Sequence, residues 1–245
     1  MYQSVAKQSL SEAVFLQLQD RIISQRLPAG EELPSERKLA ELLGVNRGAV
    51  REAIKRLQQA GLIEVRHGGN STVMNYLETS GMELLPTLLV DANGHINAAV
   101  ARSIMGMRAA LAPSVAAGAA RKAQPALATS LRAVLSQMQQ TPAGHAAALQ
   151  ELALDFWALL VSGSGNIAFR LAFNSMRKTY RQVWELLTLA LQDEFKDFEN
   201  LDTIATAVPA GDRAEASAAA ARHVAFGSQA MDAVLAQMDQ AGAHS

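Results

Sequence analysis

Arg47, Arg51, Lys55 and Gln58 fall at the i, i+4, i+8 and i+11 spacing of one helix face. Val50, Ile54 and Leu57 mark a second, apolar face of the same stretch. Two guanidinium forks, an ammonium and a carboxamide in a row suit the acceptor-rich floor and walls of a DNA major groove. Arginine grips phosphate oxygens or the two acceptors of guanine, and an amide can read adenine. An ordinary solvated helix face would carry the same spacing, so the neighbouring elements must decide between the two.

Upstream, Leu10, Val14, Leu18 and Ile22 repeat at helical spacing until Pro28-Ala29-Gly30 breaks the chain. Pro34-Ser35 opens a second helix, with Ser35 as N-cap, Leu39, Leu42 and Leu43 facing inward, and Gly44 as the stop. Asn46 caps the third helix, which ends at Gly61. Helix, glycine turn and helix form a helix-turn-helix pattern. Two short β-rich runs follow, at 62–66 and 71–75, around His67-Gly68-Gly69-Asn70. Such a glycine tip lets backbone approach DNA, and Arg66 and His67 can reach a minor groove or a phosphate. An exposed turn with an incidental histidine is the plainer reading, but placed directly after a basic helix the wing is favoured.

Residues 78–90 read as a linker helix. From about residue 96 the chain is helical and alanine-rich, and its breaks predict helices at roughly 96–122, 125–140, 144–161, 166–192, 196–208 and 212–240. The fold class is therefore mainly α: an N-terminal winged helix-turn-helix (1–77), a linker helix and hinge (78–94), and a C-terminal all-α bundle of about six to seven helices (95–245).

Bulk composition narrows the function classes. The 245 residues are 49% hydrophobic, which argues against disorder. There is no cysteine, so disulfides and thiolate metal sites are excluded and a cytoplasmic location is expected. No signal peptide or membrane-spanning stretch is expected. Net charge is −1, yet residues 33–69 hold seven Lys/Arg against four acids, a local excess of +3, while 78–245 carry −3. A basic patch on a mildly acidic body is the distribution of a compact DNA reader. No nucleophile–base constellation or phosphate loop is visible, and the histidines at 67, 95, 145, 223 and 244 are scattered. The chain is not expected to be an enzyme. A helical acyl-handling or small-molecule-binding enzyme is the alternative of another class, and it would have only Asp155 and His223 for acid–base work. A helical adaptor would leave the wing tip and arginine face unexplained.

The runs Leu33-Pro34-Ser35-Glu36-Arg37-Lys38-Leu39-Ala40, Gly44-Val45-Asn46-Arg47, Val50-Arg51-Glu52-Ala53 and Leu57-Gln58-Gln59-Ala60-Gly61-Leu62-Ile63 resemble the GntR family of bacterial transcription regulators. His67-Gly68-Gly69-Asn70-Ser71-Thr72-Val73 and the stretch from Glu78 to Leu85 are similar to its FadR-type branch, as are patches at 108–113, 155–166 and 207–223. The resemblance implies a homodimer on palindromic, double-stranded operator DNA, with Ser35, Arg37, Asn46, Arg47 and Arg51 at the DNA and His67, Gly68 and Gly69 on the wing in the minor groove. It also implies that the helical bundle at 95–245 is an effector-binding and dimerisation domain; effector binding is then expected to move the linker helix near 78–90 and so change the spacing of two winged helices.

Many such effector domains hold a metal with one aspartate and three histidines. Laid on this chain, the four positions fall on Ala153, Trp157, Leu201 and His223. Only one can ligate, so no metal is expected, because a bound ion needs at least three protein ligands. The metal-free branch implies a long-chain acyl-CoA or fatty acid as effector, with a small carboxylate metabolite as the alternative. The effector-binding residues expected are Arg108, Trp157, Tyr180 and His223, with Arg108 directed at an anionic group. Ala112 replaces a glutamate usual in the branch, and the pattern of glycines and aromatics typical of that branch is not evident around Phe226 to Met231.

Overall fold

A computed structural model describes residues 10–65, 71–91, 94–142 and 144–242. The chain divides into two compact units, Met1–Gly94 and His95–Ser245.

In the first unit, α1 (Leu10–Ile23), α2 (Glu36–Leu43) and α3 (Arg47–Gln59) pack with a three-stranded antiparallel sheet of β1 (Glu32–Leu33), β2 (Ile63–Val65) and β3 (Ser71–Val73). β3 lies in the middle, pairing Leu33 with Ser71 on one side and Ile63 with Val73 on the other. The wing thus has a third strand that the sequence pattern did not suggest; two residues give no alternation to read. Val14, Leu18 and Ile22 of α1 meet Val50, Ile54 and Leu57 of α3 in the core, closed by Leu62 and Val73. Each such side chain contributes about 1.5–3 kcal/mol on full burial. Leu42, expected to face inward, is 62% exposed. The eight residues of α2 bury only Leu39 and Ala40, so the short helix has one narrow inner stripe.

The segment after the wing is not one linker helix. It forms α4 (Tyr76–Thr79), a 3-10 turn (Met82–Leu84) and α5 (Leu85–Leu89), broken at Ser80–Gly81, where the backbone is extended. Tertiary pairing explains the break. Ser80 Oγ donates to Ala60 O and Thr79 Oγ1 to Gly61 O, each at 2.7 Å, tying this segment to the end of α3, while Leu84 and Leu88 join the core. Gly61 sits at φ +70°, and a Cβ there would lie 2.6 Å from Thr79 O. Gly61→Ala should therefore lower the urea-unfolding free energy of this unit by more than Gly44→Ala does. Gly44, at φ +65° with nothing within 4 Å of a built Cβ, should cost only the left-handed penalty of about 1–2 kcal/mol. Equal losses would mean the Thr79 contact is not formed.

The second unit is a bundle of α6 (Ala98–Lys122), α7 (Pro125–Gln140), α8 (Ala146–Ser164), α9 (Ile167–Tyr180), α10 (Trp184–Ala190), α11 (Phe198–Ala210) and α12 (Arg213–Gly242). The single helix expected at 166–192 is two, separated by a 3-10 turn at Arg181–Val183. No proline or glycine announces that turn. α6 and α12 pack extensively, and each buries alanines at 0–1% exposure, Ala116, Ala119 and Ala120 on α6 and Ala216, Ala219 and Ala220 on α12. Small side chains let two helix axes approach closely. α8 is long and apolar enough by composition to cross a membrane; in this fold it packs against α6 and α7, with Phe156 and Leu160 fully buried.

Candidate DNA-binding face and effector cavity

α3 buries Ala49, Val50, Ala53, Ile54 and Leu57 and leaves Arg47, Arg51, Lys55 and Gln58 exposed. The cationic face is thus presented outward by the same periodicity that builds the core. Both ends of the turn are fixed locally. Ser35 Oγ accepts from Lys38 N–H at 3.3 Å, and Asn46 Oδ1 accepts from Ala49 N–H at 2.9 Å, so these two residues set the starts of α2 and α3. Gly44 supplies the left-handed C-cap between them.

The arginines on this face differ in their present partners. Arg51 Nη2 donates to Glu36 Oε2 at 3.0 Å and its Nε at 3.1 Å, linking α3 to α2. Arg37 pairs with Glu41 at 3.3 Å and Lys55 with Glu52 at 3.0 Å. Arg47 has no ion-pair partner among the described residues. Exposed pairs of this kind are weak, so a phosphate can take either guanidinium from its carboxylate. Arg56 points elsewhere: it pairs with Glu12 and lies 4.1 Å over the Phe15 ring. It is an internal brace between α1 and α3. His67, Gly68 and Gly69 lie outside the described residues.

In the second unit α6, α8, α9 and α10 wall a cavity, part of it open to solvent. Fourteen of its eighteen lining residues are apolar, among them Leu111, Val115, Trp157, Phe169, Phe173 and Met176. The polar four are Arg108, Gln150, Tyr180 and Glu194. Gln150 accepts from the Thr188 hydroxyl. The Tyr180 hydroxyl and Trp157 Nε1 are buried without a partner. Burial pushes the Tyr180 phenol above its ordinary value, so it keeps its proton and remains a donor.

Arg108 does not stand open for an anionic ligand. Its Nη1 donates to Glu194 Oε2 at 2.8 Å and its Nη2 to Glu194 Oε1, with side chains only 10% and 2% exposed. Burial opposes the guanidinium charge, but the Glu194 carboxylate outweighs it and holds Arg108 protonated above its ordinary range. His223 is not among the lining residues. It lies behind Trp157, ring centroids 6.0 Å apart, with Nδ1 3.0 Å from Asp197 Oδ2. Burial works against the Asp197 charge, yet hydrogen bonds from His223 and Asn200 hold its carboxyl below the usual range. Arg177 lies 3.7 Å from Glu151 and 4.0 Å from Asp155, and Arg181 is exposed.

The donor set does not fit the metal that related domains hold. Ala153, Trp157 and Leu201 offer no ligating atom. The two carboxylates near His223 address opposite ring nitrogens, with Glu194 Oε1 3.6 Å from Nε2, so they do not converge on one point. Among the described residues no group of three or more His, Asp or Glu is arranged to hold an ion. Glu194 and Asp197 were missed by the sequence reading. Nothing in the sequence distinguishes them from other acids between helices, because their roles depend on partners 86 and 26 residues away.

Comparison with known proteins agrees with both halves of this description. Residues 10–73 match the family of bacterial regulatory proteins, gntR family, and residues 103–226 match the FCD domain. The HTH-type transcriptional regulator Mce2R of Mycobacterium tuberculosis is 38% identical over 235 residues, 95% of this chain and 96% of that one. The fatty acid metabolism regulator protein of Escherichia coli O9:H4 is 32% identical over 168 residues, 67% of this chain and 66% of its own. Among solved structures, Lar, which controls the expression of the Listeria monocytogenes agr system, shares the fold at a TM-score of 0.51, with 16% identity over 89% of this chain and 99% of that one. An outward arginine face on a winged helix-turn-helix and a separate helical bundle belong to one kind of protein: this chain is a DNA-binding transcription regulator of the GntR family with an FCD effector domain, not an enzyme.

Proposed function

We propose that the chain regulates transcription in response to a long-chain acyl compound, an acyl-CoA or fatty acid, seated in the FCD cavity without a metal. The observation that carries this reading is the cavity wall, apolar at fourteen of eighteen positions, which suits a hydrocarbon chain and offers little to a small polar acid. Similarity to regulators named for fatty acid metabolism supports the same class. A small carboxylate would need Arg108 as its receptor, and Glu194 already meets Arg108 on two atoms. On the DNA side, Arg47, Arg51 and Arg37 contact phosphates and base edges of a two-fold operator bound by a homodimer, with Ser35 and Asn46 fixing the helix starts behind them. Dimers place two such helices on half-sites about one helical turn apart.

The test is a pair of titrations on the purified full chain. Oleoyl-CoA should raise the melting temperature, since a ligand at a hundred times its Kd adds about 2.7 kcal/mol of folded-state stability, while citrate and succinate should not. The same ligand should change operator affinity by about 5–150-fold, the range of typical allosteric coupling. Stabilisation by the small acids alone would overturn the acyl reading and leave the DNA-binding assignment standing.

A further inference from the structure

Arg108 and Glu194 form a closed pair within the cavity wall, and the fold is shaped to keep it. Glu194 sits on a 3-10 turn (Glu194–Lys196) and is 2% exposed. α12 passes it at Gly227, where a Cβ would lie 1.8 Å from Glu194 Oε2 and 2.9 Å from Leu191 Cδ2. Only glycine leaves room for this carboxylate. Driving Glu194 off Arg108 would strand a buried charge, which is strongly unfavourable. A ligand carboxylate arriving beside it would put two anions against one cation in a desolvated site, which is unfavourable for the same reason. The cavity wall also holds donors that lack partners: the Tyr180 hydroxyl, on a side chain 7% exposed, and Trp157 Nε1. Unpartnered buried donors are costly to leave unmade, and an uncharged acceptor would satisfy them.

We propose that Glu194 is the specificity determinant of this cavity: it occupies Arg108 as a built-in anion, so the site takes ligands whose buried polar end is an uncharged carbonyl (ester, thioester or amide) and rejects free carboxylates. This rests on the acyl reading given above and chooses between its two forms, the thioester and the free acid. Tyr180 is the residue that donates to the ligand carbonyl.

Sodium decanoate and methyl decanoate, equal in chain and different in charge, separate the possibilities by calorimetric titration of the full chain. The wild type should bind the ester about tenfold or more tightly than the acid, about 1.4 kcal/mol or more. Glu194→Gln keeps the side-chain shape but leaves Arg108 uncompensated, and should bind decanoate about tenfold better than the wild type with ester affinity within about threefold. Equal binding of both probes by the wild type, or an unchanged ratio in E194Q, overturns the proposal. Replacing the whole pair, Arg108→Met with Glu194→Leu, guards against misfolding of the single variant; it should prefer the ester and show no gain for the acid, and a gain like that of E194Q would also overturn the proposal. Acetate separates this inference from the acyl reading. Melting-temperature protection of E194Q but not of the wild type by acetate supports the role of Glu194 even where neither decanoyl probe binds, an outcome that would sink the acyl reading alone. If E194Q ignores acetate and decanoate alike, Glu194 does not guard Arg108.

Discussion

Arg47→Ala combined with Arg51→Ala should weaken operator binding by about a hundredfold or more, because each lost arginine contact to a base edge or phosphate costs on the order of tenfold. The slope of log affinity against log salt should also fall by about two, one for each phosphate-directed cation removed. The fold should not notice. Both side chains are exposed, the α3 core face is Val50, Ala53, Ile54 and Leu57, and the only described partner lost is the surface carboxylate of Glu36. An unchanged melting temperature beside a collapsed affinity is therefore the expected pair of results, read by thermal denaturation and fluorescence anisotropy with operator DNA. The single variants should separate as well. Arg47 has no described partner to leave, whereas Arg51 must exchange Glu36 for the DNA, so Arg47→Ala should cost more. Retained affinity in the double variant would move the DNA interface off α3.

The second large effect concerns stability of the effector unit. Glu194→Ala should cost about 3–5 kcal/mol, the usual result of removing one partner from a buried ion pair and leaving the other charge alone. Replacing both members, Arg108→Met with Glu194→Leu, should return most of that loss, since an apolar pair of similar volume carries no desolvation cost. The two single losses will then greatly exceed the double, and a double-mutant cycle by chemical denaturation gives that coupling directly. Gly227→Ala belongs to the same set: its Cβ would strike Glu194 Oε2, so it should destabilise the wild type and be much milder beside Glu194→Leu. Additive single losses would mean that the pair is open to water and that the cavity reading built on it is wrong.

The DNA-binding half was legible because its determinants are local. Ser35, Gly44 and Asn46 punctuate helices whose caps lie within three or four residues, and the period that puts Val50, Ile54 and Leu57 inside necessarily puts Arg47, Arg51 and Lys55 outside. The wing was legible in its two longer strands but not in β1, whose two residues pair with partners about forty positions away. The helical character of the second unit was legible from alanine content and turn residues. What sequence could not place were the events fixed by distant partners. The break after Thr79 comes from hydrogen bonds to the end of α3. Leu42 faces solvent because α2 has only a narrow inner stripe. Arg108 pairs with an acid 86 residues away, and His223 turns to Asp197 behind the cavity wall. Period and capping are properties of adjacent residues, so the sequence by itself determined the helix-turn-helix, the two faces of α3 and the kind of regulator this is. The charge left available inside the cavity is a property of which helices come together, so only the tertiary structure decided it.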